Sequence, residues 1–200
     1  MTPPIVQRLR DAAAAMRDER VSMQDLAQAH GPDAHRTLLL LMAMPCLLPI
    51  PGVGTVLGLG MAAWAAARWR GHRPTGLPQR VAELEMPRHW AQRVLGLLAS
   101  AYGAAGRHAR ARLSHLATAE RKSVAGLVAL MAFIVVLPIP FGNVLPALAL
   151  MLIGLGLVFR DGLAVVLGLA MAVLAIGVTA GLILLAWTWG NAWLPGWLSA

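Results

Sequence analysis

Two proline pairs, Pro49-Ile50-Pro51 and Pro138-Ile139-Pro140, interrupt long apolar runs in the two halves of this chain. The first unit opens with the apolar stretch Leu38–Leu48, breaks at Pro49-Ile50-Pro51-Gly52 and resumes from Val53 to Ala67. The second breaks at Leu137-Pro138-Ile139-Pro140 and continues through Phe141-Gly142-Asn143. Proline lacks an N–H and its ring collides with the carbonyl four residues back, so a helix stops at such a pair. Water-soluble helices seldom carry proline pairs inside apolar runs. A duplicated apolar–break–apolar unit therefore describes a chain in a bilayer, where the backbone freed at the break must find partners inside protein or along a wet cavity.

Length limits what each piece can do. At about 1.5 Å per residue, Leu38–Leu48 reaches roughly 16 Å and Val53–Ala67 roughly 22 Å. A hydrocarbon core is about 30 Å thick, so neither crosses alone. Two geometries remain: one kinked crossing per unit, or a hairpin that enters and leaves on the same side. Cation placement argues for the hairpin. Arg36 precedes the first unit and Arg68, Arg70 and Arg73 follow it; Arg121 and Lys122 precede the second and Arg160 follows it. Positive charge at both ends puts both ends in the cytoplasm. The tips would then sit at depth, formed by Pro49, Pro51, Gly52, Gly54 and Thr55 in one unit and Pro138, Pro140, Gly142, Asn143 and Pro146 in the other.

Matching broken elements in two halves of a chain are a sequence pointer to a transporter-like site near the midplane. The bland alternative is a hydrophobic hairpin that serves packing only. Gly54 and Gly58 form a small-xxx-small face extended by Gly60, and Gly154 and Gly156 recur in the second unit. Close packing of the two units, or of two protomers, is therefore expected.

The flanks fit a membrane setting. The chain is 58% hydrophobic with mean hydropathy +0.65 and 13% charged residues, outside the range of an ordinary soluble domain. Its net charge of +8 lies entirely in residues 68–122; residues 1–36 balance, and 123–200 hold one pair, Arg160 and Asp161. Such a basic block between apolar runs reads as a cytoplasmic loop touching anionic lipid headgroups. Nucleic acid is disfavoured as a partner, because no recognised binding pattern accompanies the charge. The spacing of Ile5, Leu9, Ala12 and Met16 predicts an amphipathic helix over residues 4–19. Ser22-Met-Gln-Asp25 is a capping box opening a second helix that stops at Gly31-Pro32. His89 to Ala105 reads as an interfacial helix with Trp90, Val94, Leu97, Ala101 and Ala105 on one side. Gly162–Ala186 is uncharged and about 37 Å long, enough to cross with tilt. The Trp187, Trp189, Trp193, Trp197 cluster resembles an interfacial belt.

The expected fold class is thus an all-α integral membrane protein. It has N-terminal surface helices (1–36), two broken hairpins (37–70 and 123–160), a basic segment (71–122) and a C-terminal crossing with an aromatic tail (161–200). The N-terminus is expected in the cytoplasm and the C-terminus outside.

No catalytic constellation is visible, and the expectation is a protein that is not an enzyme. Gly52-Val53-Gly54 lacks the Gly-Lys-Ser/Thr of a phosphate loop, no HExxH or Gly-x-Ser-x-Gly is present, and no cofactor or metal is implied. The single cysteine, Cys46, reads as a packing residue. No carboxylate lies deep in an apolar run, which disfavours a proton relay. Asn143, Thr55 and freed backbone are the polar groups at depth.

Three stretches resemble the ExoD family of bacterial exopolysaccharide-synthesis membrane proteins: Leu41–Gly60 (LMAMPCLLPIPGVGTVLGLG), Gly71–Pro78 (GHRPTGLP) and Leu137–Gly162 (LPIPFGNVLPALALMLIGLGLVFRDG). The last, with PIPFGN-x-x-P and G-L-x-x-R-D-G, is the most specific. Cys46 stands where the family often has Asn, and Pro74-Thr75 where it often has Pro-Trp. The resemblance spans roughly residues 20–185 and implies a bacterial inner-membrane protein that affects exopolysaccharide output, with no assigned reaction.

Two functions from different classes follow. One is a small transporter-like homodimer moving an anion or lipid-linked phosphate, drawn in by Arg68, Arg70 and Arg160 at the cytoplasmic mouths, where Asp161 also lies. The other is an accessory scaffold packed against polysaccharide synthesis or export proteins.

Overall fold

The computed structural model describes residues 4–31, 34–48, 52–72, 74, 76–108, 122–137 and 142–193. These fold mainly as helices: α1 (Pro4–Ala15), α2 (Met23–His30), α3 (Ala34–Ala43), α4 (Val53–Trp69), α5 (Gln79–Ala82), α6 (Arg88–His108), α7 (Lys122–Val136), α8 (Val144–Phe159) and α9 (Gly162–Trp193). A 3₁₀ turn, Pro45–Leu47, follows α3. Two short strands, β1 (Arg20–Ser22) and β2 (Glu85–Pro87), pair antiparallel with Val21 opposite Met86.

Local chemistry fixes the N-terminal elements. Ser22 caps α2 in the reciprocal way its spacing predicts. Its hydroxyl accepts from the Asp25 N–H at 3.2 Å, and Asp25 Oδ2 accepts from the Ser22 N–H at 2.9 Å. Gly31, at φ +72, closes the helix. Helix α1 ends at Ala15, short of the residue 19 expected from its periodicity, because the chain must turn to pair β1 with β2. Val6 and Leu9 enter the core; Ile5, Ala12 and Met16 pack at its edge. The strands carry no sequence signal, since each is too short to display a period of two.

Helix α6 departs from the expected face. Its buried stripe is Ala91, Val94, Leu95, Leu98 and Tyr102, packed against α1. The amide of Gln92 donates to the Ala13 carbonyl at 3.0 Å. Leu97 is exposed, and of the expected stripe Val94 alone is fully buried. The i, i+3, i+4, i+7 series beginning at Ala91 is apolar at every position, whereas the one beginning at Trp90 includes Arg93.

Helix α3 occupies the centre. Leu38 to Met44 are all buried, so it is enclosed on every side and needs no polar face. It touches α4 and packs along α8, while α4 packs along α7. Glycines set these contacts. A β-carbon on Gly58 would stand 2.7 Å from Val136 Cγ2 and 3.1 Å from the Ala132 oxygen. Helices α4 and α7 thus approach as closely as small-residue faces allow. Gly154 meets Leu40 in the same way, and Gly60 meets Met42 and Val81. The contact of Gly60 with Met42 brings α4 back alongside α3.

The C-terminal motif forms a tight helical corner. Arg160 ends α8 in the left-handed region, at φ 54 and ψ 35. The Asp161 N–H reaches back to the Gly156 oxygen at 2.9 Å, and Asp161 Oδ1 accepts the Leu163 N–H at 3.0 Å. At about 48 Å, α9 is long and apolar enough to cross a membrane. Ala172, Ala175 and Thr179 are buried, whereas Leu182 to Leu185, Trp187 and Trp189 are exposed. Leu59, Leu130 and Phe133 add exposed apolar surface on α4 and α7. So much exposed apolar surface is rare on soluble monomers.

Candidate functional site at the helix breaks

The breaks themselves, Pro49, Pro51, Pro138 and Pro140, lie outside the described residues. What is described is the start of the helix after each. Helix α4 begins beyond Gly52, which adopts φ +77, a conformation glycine enters without the penalty of a β-carbon. Helix α8 begins beyond Asn143, with Pro146 in its first turn, where a missing N–H matters least. Neither start receives a side-chain cap. The first-turn N–H groups of Val53, Gly54 and Thr55, and of Val144 and Leu145, have no acceptor within their own helices. Among the described residues, the two positive helix ends thus carry no side-chain cap.

The fold brings these two ends together. A β-carbon on Gly54 would stand 2.7 Å from Asn143 Nδ2 and 3.6 Å from the Val135 oxygen at the end of α7. Gly54 is thus the seat for the Asn143 side chain. Asn143 Oδ1 is buried and meets no hydrogen-bond partner among the described residues. Leaving it so costs about 1–3 kcal/mol relative to a site filled by a donor. Uncapped amides and one unsatisfied amide oxygen make a junction suited to a ligand with both acceptor oxygens and a hydroxyl or water donor. Thr55 and Gly52 are exposed beside it, Gly142 is half-buried and Pro146 is buried.

The cationic residues assigned to the mouths divide between two places. Arg68 stacks over the Trp64 ring at 5.7 Å, a cation–π contact. Arg68 is half-buried, while Arg70 ends α4 and is exposed. Arg160 is exposed at the end of α8, and Asp161 is engaged in starting α9. Arg68 and Arg70 lie at the end of α4, which packs along α7, whereas Arg160 lies at the end of α8, which packs along α9 and α3. Among the described residues the one ion pair is Arg20–Glu85 at 3.5 Å. It is exposed and worth little.

A second polar cluster lies away from the breaks. His30 is fully buried: its Nδ1–H donates to the Leu26 oxygen at 2.9 Å and its ring meets Tyr102 edge-on at 6.2 Å. Burial holds the His30 pKa below its ordinary value, against the opposing pull of the Leu26 hydrogen bond. Tyr102, with Thr37 at its hydroxyl, is pushed above the usual phenol range by burial. Its ring lies 6.2 Å from Phe159. The cluster ties α2, α6 and α8 to the start of α3. Nothing in local sequence marks it, because Tyr102 and Phe159 lie far along the chain from His30 and Thr37 and join them only through the fold.

A family model described as "Exopolysaccharide synthesis, ExoD" matches residues 5–181. Protein ExoD of Rhizobium meliloti (strain 1021) is 30% identical over 159 residues, covering 76% of this chain and 66% of the relative. The chain thus spans about two thirds of that protein. No solved structure matches.

Proposed function

The chain belongs to the ExoD family, and we propose that it is a bacterial inner-membrane protein of exopolysaccharide synthesis or export whose two re-entrant hairpins form a path for an anion or lipid-linked phosphate. The observation that carries the reading is the contact of Gly54 with Asn143, which sets two uncapped helix starts against each other. Half-helix N-termini converging at depth are how discontinuous membrane helices hold anionic groups. The return of α4 along α3, through Gly60 and Met42, supports hairpins over kinked crossings. Exposed apolar residues on α4, α7 and α9 supply the lipid-facing surface. Arg68, Arg70 and Arg160 lie at the far ends of α4 and α8 and would raise the local concentration of an anion at the cytoplasmic face. No chemical step on the cargo is part of the proposal.

The test is flux. Purified protein in liposomes should move a small anion or a fluorescent lipid phosphate, and Asn143→Ala should abolish movement while leaving the protein monodisperse. Wild-type liposomes that move neither cargo would overturn the path.

One feature favours a scaffold instead. Beyond Thr179, α9 carries exposed apolar residues, and Gly177 and Gly181 have nothing within 4 Å of a placed β-carbon. That open face fits a second copy or a synthesis-complex helix. Under this reading Asn143→Ala preserves polysaccharide output, and bulky residues at Gly177 and Gly181 abolish it.

A further inference from the structure

Gly71, His72, Pro74 and residues 76–78 follow α4 at the end opposite Gly52. Gly71, at φ +82, ends that helix. The His72 N–H bonds the Ala67 oxygen at 2.9 Å and the Gly71 N–H bonds the Arg68 oxygen at 3.0 Å, the pattern of a glycine-closed helix end. The chain then folds back over α4, and Val81 seats on Gly60. Between this strap and α4 lies a half-open groove of about 390 Å³, walled by Met42, Ala63, Trp64, Ala67, Leu77 and Pro78. The side chains of these walls are apolar. Arg68 stands at the rim, stacked on Trp64, and no carboxylate lies within ion-pair distance of it among the described residues. Exposed Trp69 and Arg70 share this end of α4, the mixture of indole and cation that sits at a membrane–water boundary.

We propose that the groove holds one acyl chain of an anionic phospholipid, with the phosphate against Arg68. The volume accommodates roughly a dozen methylene-sized groups if each takes about the 30 Å³ of a liquid water. That is one chain segment, not a whole lipid. Charge complementarity selects an anionic headgroup, because the Arg68 guanidinium stacks on the groove residue Trp64 and its forked N–H donors match phosphate oxygens. Trp64 serves twice: its ring forms a wall of the groove, and its face fixes Arg68 at the rim. The small side chains of Ala63 and Ala67 make the floor, so any larger residue there occupies the chain's space. The site is independent of the helix breaks, since Trp64 lies roughly 15 Å along α4 from Gly54.

The test uses the full chain in detergent, titrated with dioctanoyl phosphatidylglycerol, dioctanoyl phosphatidylcholine and inorganic phosphate, with binding read by native mass spectrometry. Phosphatidylglycerol should bind at least tenfold more tightly than phosphatidylcholine, and inorganic phosphate should not compete at equal concentration. Arg68→Gln should bring the two lipids to near parity. Ala63→Phe should weaken both lipids at least tenfold, whereas Arg80→Gln leaves the pattern unchanged. The proposal is overturned if Ala63→Phe and Arg68→Gln bind as wild type, or if inorganic phosphate displaces the lipid. A photoreactive acyl chain on the wild-type protein gives a readout independent of variant folding. Crosslinks to the Trp64 and Leu77 peptides support the groove, and crosslinks confined to α9 overturn it.

Discussion

Gly156→Ala is the sharpest test of how the second unit packs. A β-carbon at this position would lie 2.6 Å from Val165 Cγ2, 2.9 Å from the Asp161 oxygen and 2.9 Å from the Val165 N. The last two are backbone atoms of the corner that joins α8 to α9, so no rotamer change relieves them. Overpacking against rigid neighbours typically destabilises by ~1–3 kcal/mol, and two backbone contacts place this case at the upper end. Alanine regains ~1 kcal/mol of helix propensity over glycine, leaving a net loss of ~2 kcal/mol. For a chain of this size that corresponds to a fall in melting temperature of ~4–8 °C. The assay is thermal unfolding of purified protein in detergent, followed by size-exclusion chromatography. Gly177→Ala and Gly181→Ala are the controls: with nothing within 4 Å, they gain propensity without a clash and should melt at or above wild type. Gly156→Ala melting like wild type, or Gly177→Ala melting as far below it, would refute the packing argument.

Other perturbations separate folding from function. Asn143→Leu removes an amide oxygen that has no partner among the described residues. Stability should hold within about 1 kcal/mol while polysaccharide output falls; a melting loss beyond about 5 °C would mark Asn143 as structural. Arg160→Gly relieves a left-handed residue, a conformation that disfavours the native state by roughly 1–2 kcal/mol. It should raise the melting temperature while lowering polysaccharide output, and a lower melting temperature would contradict it. His30 has a folded pKa below its unfolded value of 6.5, so the unfolded chain binds the extra proton and stability falls as pH drops below that value. His30→Gln should flatten that slope in melts between pH 7.5 and pH 5; an unchanged slope would reassign it to another group.

How far the sequence reveals this architecture depends on the range of each interaction. Where a signal is local, sequence and structure agree: the Ser22–Asp25 box, the stop at Gly31, the start of α4 after Gly52 and the long α9 all follow from neighbouring residues. The small-residue faces are legible as well, because Gly54 and Gly58 share a helix face whatever they meet. Their partners are not. That Gly54 seats Asn143 and Gly154 seats Leu40 depends on which helices become neighbours, and no periodicity carries that. The buried face of α6 differs from the expected one because alanine at 91 and 99 is weakly apolar yet fits the close approach of α1. His30, Thr37 and Tyr102 look like ordinary polar surface residues until the fold gathers them. Sequence shows Arg160 only as a charge; its backbone conformation, visible in three dimensions, adds a strained corner at the same residue.

The central claim is that each broken unit turns back, leaving both of its ends on one face of the membrane. With Cys46→Ala as background, single cysteines at the exposed positions Asp25, His72, Lys122 and Arg160 can be labelled by a membrane-impermeant maleimide in right-side-out and inverted vesicles. The account predicts that all four react only in inverted vesicles, where the cytoplasmic face is outward. Labelling of positions 25 and 72 from opposite faces would contradict it, because the first unit would then cross the bilayer.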